Sequence, residues 1–265
     1  MEHKVYDGFV RLVDSMGDDS SIVQAARVSY GEGTKTISED RGLIRYLLRN
    51  KHTSPFEMVE FKFHIKLPIF IARQWIRHRT ASVNEYSGRY SVMKDEFYSP
   101  VQNRLKEQST VNKQSSNDDV IEEAKYNSIL INQSCEDSFD NYNTCLEYGV
   151  SREIARIVLP LSTYTEWYWK IDLHNLLHFL RLRMDEHAQE EIREYANVIY
   201  TIVKEICPLT IEAFDDYITN SVTFSKHEIE ILSNIIQKKD FTFENLAKSE
   251  KIEFIKKLLK LGIEQ

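Results

Sequence analysis

The sequence predicts an α+β fold in which long helices pack on a sheet. Three observations carry that prediction. Val59–Leu67 alternates apolar and polar residues over nine positions, the period of a half-buried strand. The segments 39–50, 120–148 and 186–207 carry apolar residues at helical spacing. At 265 residues, with 42% hydrophobic and 28% charged, the chain has the length and composition to bury a substantial core.

Element by element, Gly8–Asp14 alternates enough to form a strand. Ser20 or Ser21 caps a helix running through Ala25 and Ala26 to about Val28. Leu43, Ile44, Tyr46, Leu47 and Leu48 make 39–50 an amphipathic helix. In the nine-residue strand, Phe61, Phe63, Ile65 and Leu67 face the core. Pro68 suits the first turn of a helix from Ile69 to about Arg79, buried by Ile69, Phe70, Ile71, Trp75 and Ile76. Arg73 and Arg77 then lie one turn apart on one face. Thr80–Tyr90 is polar and reads as a loop, and the Gln/Asn/Ser-rich 99–119 reads as a surface excursion.

Helical pattern resumes over 120–148 and stops at Gly149; Ser151 caps Arg152–Val158 ahead of Pro160. Aromatic-rich Tyr164–Ile171 is a strand, and Asp172 caps a helix to Arg183. Glu186–Cys207 is a long helix, and Pro208 opens a short one. Two further amphipathic helices are expected at 226–237 and 243–262. Residues 221–265 hold eight lysines and seven acids but no arginine, whereas all fifteen arginines precede residue 194. We therefore divide the chain into a main domain, 1–220, and a C-terminal helical appendage, 221–265.

The net charge of -7 argues against broad nucleic-acid binding. No apolar run approaches a membrane span, and the N-terminus lacks a secretory h-region. Cys135, Cys145 and Cys207 are scattered, without CxxC spacing, as expected of buried thiols in a reducing compartment. A cytoplasmic protein is expected, with no membrane or nucleic-acid partner.

Against that acidic background, Arg73–Tyr90 packs four arginines (Arg73, Arg77, Arg79, Arg89), His78, Ser82 and Ser87 into eighteen residues. A solvated helix face followed by a basic loop is the plain reading. The apolar flanks and a Ser-Gly-Arg loop offering backbone amides favour an anion site, with phosphate the first candidate because a guanidinium fork matches its oxygens. Arg152 and Arg181 read as ordinary surface. Arg156, among Ile154, Ala155, Ile157 and Val158, and Arg183, closing a helix with Leu176, Leu177, Phe179, Leu180 and Leu182, read as buried guanidiniums. His174 and His178 are one turn apart, a conceivable metal pair, but no third ligand is evident and no metal is expected. Two rivals stay open: an RNA-binding module with Trp75, Tyr86 and Tyr90 stacking bases, and an inactive scaffold.

Arg77-His78-Arg79, seven residues, then Ser87 resembles the signature of the flavin-dependent thymidylate synthases. Ser82, Asn84, Glu85, Gly88, Arg89 and Tyr90 fit the same pattern. So do Ala25–Ser29, His52–Glu57, Ile69–Trp75, Arg152–Pro160 and Leu182–Gln189, in order over roughly residues 5–220. The resemblance implies homotetramers with an antiparallel or mixed sheet core packed with long helices, and active sites shared between chains. It implies methylation of dUMP with 5,10-methylenetetrahydrofolate as carbon donor and FAD reduced by NADPH, without a cysteine nucleophile. Ser87, lacking a paired base, suits phosphate binding better than attack.

By that resemblance Gln74, Trp75, Ile76, Arg77, Glu85, Tyr86, Ser87, Gly88, Arg89, Arg156 and Arg183 contact dUMP. Arg183 is the catalytic residue and favours ionisation of the base at N3. Ser54, Arg77, His78, Arg79, Glu85, Asp172, Leu173, His174 and His178 contact FAD, and His52 lies at the folate or nicotinamide face of the flavin. Where the family usually carries Asn-x-Arg and a later asparagine, this chain has Asp172-Leu173-His174 and His178.

Overall fold

The structure is a computed structural model and describes residues 2–28, 37–109 and 116–263. Ser29, which ends one family-like segment, and residues 110–115 of the predicted surface excursion lie outside the described residues. The main sheet contains β1 (Glu2–Val5), β2 (Gly8–Met16), β3 (Glu60–Pro68) and β4 (Ser82–Glu85). A separate pair follows, β5 (Lys106–Gln108) with β6 (Ser116–Val120), and β7 (Tyr164–Asp172) completes the main sheet. Its order is β1-β2-β3-β7-β4, antiparallel throughout.

The helices are α1 (Asp19–Arg27), α2 (Ile37–Arg49), α3 (Ile69–Trp75), α4 (Ala124–Glu147) and α5 (Arg152–Ala155). They continue as α6 (Leu173–Arg183), α7 (Glu190–Ile206), α8 (Pro208–Phe214), α9 (Lys226–Ile236) and α10 (Lys248–Lys260).

The alternation in β3 puts Phe61, Phe63, Ile65 and Leu67 on one face, all fully buried, as expected. In register beside them stand Ile171, Trp169, Trp167 and Thr165 of β7. Helices α3, α6 and α7 cover this face. Trp75, the last residue of α3, enters an aromatic cluster with Phe179 at 4.6 Å, Trp169 at 5.2 Å and Trp167 at 5.8 Å between ring centroids. Burying each such side chain contributes about 2–3 kcal/mol, so the cluster fixes the end of α3 firmly. A second small core joins α4 to α5 through Phe139, Tyr142 and Ala155.

Several elements differ from expectation. Asp18, not Ser20 or Ser21, caps α1: its carboxylate accepts from the Ser20 and Ser21 amides, and Ser21 closes the box. The helix after Pro68 ends at Trp75, not near Arg79, because Ile76 is exposed and gives no reason to continue a buried face. Arg77 therefore lies beyond the helix, and no helical turn pairs it with Arg73. Part of the predicted loop 80–90 is the edge strand β4, whose four side chains are all exposed, so that no alternation marks it. Residues 152–158 split into α5 and a 3-10 turn, Arg156–Val158.

The chain divides into two compact units, Met1–Phe214 and Asp215–Gln265. The second has its own core of Ile231, Phe254 and Leu258, with Phe224 and Phe243 packed against it. Within it Lys257 reaches both carboxylate oxygens of Glu228, at 2.7 and 3.0 Å. Among the described residues no helix is long and apolar enough to cross a membrane.

Candidate active site

The buried Trp75 ring fixes where the chain leaves α3. The next residues turn tightly, with the Ile76 amide on the Ala72 carbonyl and the His78 amide on the Trp75 carbonyl, both at 3.0 Å. That turn delivers Arg77, His78 and Arg79. Helix α6 meets it from the other side: Phe179 packs against both Trp75 and the His78 ring, and the His178 ring lies 5.7 Å from His78. At the end of α6, Arg183 donates from Nε to His78 Nε2 at 3.0 Å and from Nη2 to the Gln74 carbonyl at 3.2 Å. The Gln74 side chain donates to Gln189, at the start of α7. Gln74, Arg77, His78, His178 and Arg183 thus form one group.

The electrostatics of this group are those of crowded cations. Burial, then Arg183 and His178, push the His78 pKa down to about 4, so its ring is neutral at neutral pH. Burial and the Arg77 charge lower Arg183 from its usual range. Burial, then Arg181, His174 and Arg183, lower His178.

A second group forms on β4 and the loop after it. Pairing with β7 sets Glu85, whose carboxylate accepts from the Thr165 hydroxyl at 2.8 Å. The Tyr86 amide continues the pairing to the Glu166 carbonyl. The Ser87 carbonyl then accepts the amides of Tyr90 and Ser91, and Ser87 Oγ accepts the Arg89 amide. From α5, Arg152 Nη1 donates to the Tyr90 carbonyl at 2.8 Å, and Glu153 pairs with Arg89 at 3.4 Å. Tyr142 of α4 holds the Met93 amide. Gly88 is buried, and a Cβ there would meet Met93 Sδ at 2.8 Å and Arg156 Cδ at 3.3 Å. Arg156 therefore joins Ser87, Gly88 and Arg89. A cleft of about 570 Å³ beside them is lined by Arg89, Tyr90, Ser151, Arg152 and Glu153.

Other expected positions cluster at the opposite end of α6. Asp172 caps that helix, its two oxygens taking the Asn175 amide and side-chain nitrogen at 2.9 and 2.7 Å. The Leu173 side chain is buried and its amide donates to Val59. The 3-10 turn Phe56–Met58 packs on α6 and β7, with exposed Ser54 just ahead of it. Exposed His52 stays against α2, its amide on the Leu47 carbonyl and its ring edge-on to Tyr46 at 5.7 Å. Among the described residues no group of three His, Cys, Asp or Glu side chains is placed to hold a metal.

Two placements correct the expectations. Arg156 is exposed, because the apolar residues flanking it, Ile154, Ile157 and Val158, are themselves on the surface; Arg183 is only half-buried. Trp75 is 1% exposed, so its ring lies in the core, and the base-stacking alternative loses one of its three rings. Sequence reasoning missed Arg152, read as plain surface, and the anchors Gln189, Thr165 and Tyr142. Arg152 and Gln189 lie inside family-like segments, which was the available signal. Further off, a hollow of about 530 Å³ lined by Lys66, Glu96 and Tyr164 contains none of the expected site residues.

Residues 11–209 match the family model described as thymidylate synthase complementing protein. A flavin-dependent thymidylate synthase of Treponema denticola is 54% identical over 264 residues, covering 98% of each chain. The chain belongs to the flavin-dependent thymidylate synthase family. Others with that name are 55% identical in Dictyostelium discoideum, over 87% of this chain and 79% of that one, and 56% identical in Thermus thermophilus, over 86% and 83%. In three dimensions it is similar to the UMP/dUMP methylase PolB of Streptomyces cacaoi, crystallised with 5-Br dUMP. The TM-score is 0.75 at 36% identity, covering 80% of this chain and 96% of PolB. The helices and antiparallel sheet described above are therefore those of the flavin-dependent synthase family.

Proposed function

We propose that this chain converts dUMP to dTMP by reductive methylation, with bound FAD, 5,10-methylenetetrahydrofolate as carbon donor and NADPH as reductant. The balance is dUMP plus methylenetetrahydrofolate plus NADPH plus a proton, giving dTMP, tetrahydrofolate and NADP+. The observation that carries this reading is a charge imbalance. Among the described residues no carboxylate pairs with Arg73, Arg77, Arg79, Arg156 or Arg183, whereas Arg89 pairs with Glu153, and Arg11, Arg27, Arg41, Arg45 and Arg104 also have carboxylate partners. Cations left without carboxylate partners in an acidic protein suit anionic ligands, and a nucleotide with a flavin dinucleotide fits that donor set.

In this reading Ser87, the Gly88 amide and Arg89 hold the dUMP phosphate, while Gln74, Arg77 and the backbone of Trp75, Ile76 and Tyr86 frame the nucleotide. Arg156 and Arg183 meet the pyrimidine, and Arg183, charged at any working pH, stabilises the anion that develops when N3 ionises. Ser54, Arg77, His78, Arg79, Glu85, Asp172, Leu173, His174 and His178 hold FAD. Leu173 would do so through its backbone, since its side chain is in the core. Bound there, FAD supplies the redox chemistry between NADPH and the transferred carbon. His52 stands at the folate or nicotinamide face.

Two of the three thiols support a route without cysteine attack; the third, Cys145, is half-buried against the α4–α5 core. Cys135 and Cys207 are buried, and burial with nearby Asp19 and Asp18 pushes the Cys207 thiol far above its usual range. We place the activity in residues 1–220, with 221–265 as a helical appendage, in a cytoplasmic homotetramer. The test is direct. The purified protein should be yellow, bleach with NADPH, and form dTMP only when methylenetetrahydrofolate is added. A colourless protein, or a yellow one that never methylates dUMP, overturns the reading. Arg89→Ala should weaken dUMP binding by about 10- to 100-fold, the equivalent of a charge-assisted contact; unchanged affinity in equilibrium titration would remove Arg89 from the phosphate site.

A further inference from the structure

Arg183 ends α6, where a free guanidinium would sample many rotamers at an entropic cost to any ordered state. Here it is held. Both acceptors, His78 Nε2 and the Gln74 carbonyl, come from a stretch more than a hundred residues away in sequence. The Nε and Nη2 protons involved lie along one edge of the planar guanidinium. The end edge, Nη1 with the second Nη2 proton, is left to meet a ligand two oxygens at a time. Neither acceptor is a carboxylate. The same edge of Arg104 is gripped by Glu191, which neutralises it; a neutral imidazole and a carbonyl fix Arg183 without cancelling its charge.

We propose that His78 is a positioning residue for Arg183. As a neutral imidazole protonated on Nδ1, it accepts the guanidinium's Nε–H and sets the orientation in which Arg183 presents its end edge, with full charge, to the pyrimidine. The part concerning the pyrimidine rests on the functional reading above; the clamp itself does not.

The surroundings of the ring support this. Its own amide is tied to Trp75, and Phe179 stands edge-on at 5.0 Å. The ionisable groups facing it are Arg183 and His178 from α6, with Arg77 next to it in the chain. Among the described residues no carboxylate pairs with it. A protonated ring, or the other tautomer, would set an N–H against the Arg183 N–H and abolish the bond.

The test uses the full chain with histidine ring nitrogens labelled, as purified and after removal of flavin. The His78 signals are assigned by their loss in His78→Gln. Two-bond proton–nitrogen spectra should show an unprotonated Nε2 and a protonated Nδ1, with no titration between pH 8 and pH 5. Kinetics then compare two variants at saturating FAD. His78→Phe keeps the ring against Phe179 and removes the acceptor; His78→Gln puts an amide oxygen near the place of Nε2. The Phe variant should lose about 10- to 100-fold in kcat, the rate equivalent of one hydrogen bond to a charged group, with KM for dUMP changed far less. The Gln variant should recover most of that loss. An Nε2-protonated or charged ring at pH 7, or equal kcat losses in both variants, overturns the proposal. Absence of turnover in the wild type with the Nδ1 tautomer present would overturn the functional reading and leave the clamp standing.

Discussion

Gly8 and Gly88 would answer the same substitution in opposite ways. A Cβ on Gly8 would lie 2.2 Å from the Lys66 carbonyl oxygen, held in its sheet, and 2.4 Å from the Tyr195 hydroxyl that donates to that carbonyl. Neither can retreat, so Gly8→Ala should destabilise the fold by about 3 kcal/mol or more, read as a large drop in Tm. At Gly88 the nearest atoms are Met93 Sδ and Arg156 Cδ, parts of flexible side chains. Gly88→Ala should cost less than about 1 kcal/mol of stability yet displace Arg156, raising KM for dUMP. Equal Tm losses in the two variants would contradict the assignment of Gly88 to the site rather than the core. His78 adds a pH signature. Its pKa falls from 6.5 in the unfolded chain to about 4 in the fold. The unfolded state therefore binds more protons between those values, and stability falls as pH drops through that window while nothing changes above it. Tm measured from pH 7 to pH 4 should decline more steeply in the wild type than in His78→Phe; parallel curves would show that the ring does not resist protonation.

At the level of elements, legibility tracked burial. β3 was readable because every second residue is a large apolar side chain packed under α3, α6 and α7, and Asp172 was readable as the cap of α6 from its place before an apolar run. β4 was not, since an edge strand with four exposed side chains carries no period. α3 was overextended because Ile76, apolar but exposed, mimics one more buried position. The same limit governs the site. Ser87, Gly88 and Arg89 are neighbours in the chain and legible together, but the bond from Arg183 to His78 spans 105 residues and leaves no local trace. Nor did any pattern flag Glu191, buried on α7, which takes a two-point grip from Arg104 at 2.6 and 3.0 Å and the Tyr98 hydroxyl at 2.9 Å. Burial alone would raise its carboxyl, but Arg104 outweighs that and holds it low. This pair ties the 3-10 turn Gln102–Arg104 to α7. Arg104→Met should leave an uncompensated buried carboxylate and cost about 3–5 kcal/mol. The double variant Arg104→Met, Glu191→Met should regain much of it, and denaturant unfolding of the two measures the difference. A double variant no more stable than the single one would show that the pair is not the source of the loss.

For the whole molecule, the two basic groups stand on different supports within one chain. Gln74, Arg77 and Arg183 hang on the α3–α6 packing, whereas Ser87, Arg89 and Arg156 hang on β4, its loop and α5. Around them one chain exposes apolar side chains that ordinarily seek cover: Tyr90 at 76% and Ile157 at 73%, with Ile76, Ile154 and Leu161. In the homotetramer we propose, that surface is where chains meet, and one nucleotide is gripped by the first group of one chain and the second group of its neighbour. The arrangement has a distinctive consequence. As pure proteins, Arg183→Ala should be nearly inactive and Arg89→Ala should turn over little at dUMP well below its raised KM, the condition used for the mixture. In tetramers reassembled from an equal mixture, random pairing gives about a quarter of the sites both native arginines, one from each kind of chain. Turnover per active-site flavin should therefore rise well above that of either parent once subunits exchange, and stay at parental level if exchange is prevented. Persistent inactivity after exchange, with mixed tetramers verified by mass, would mean that both arginines of a site come from the same chain, and the shared-site architecture would have to be abandoned.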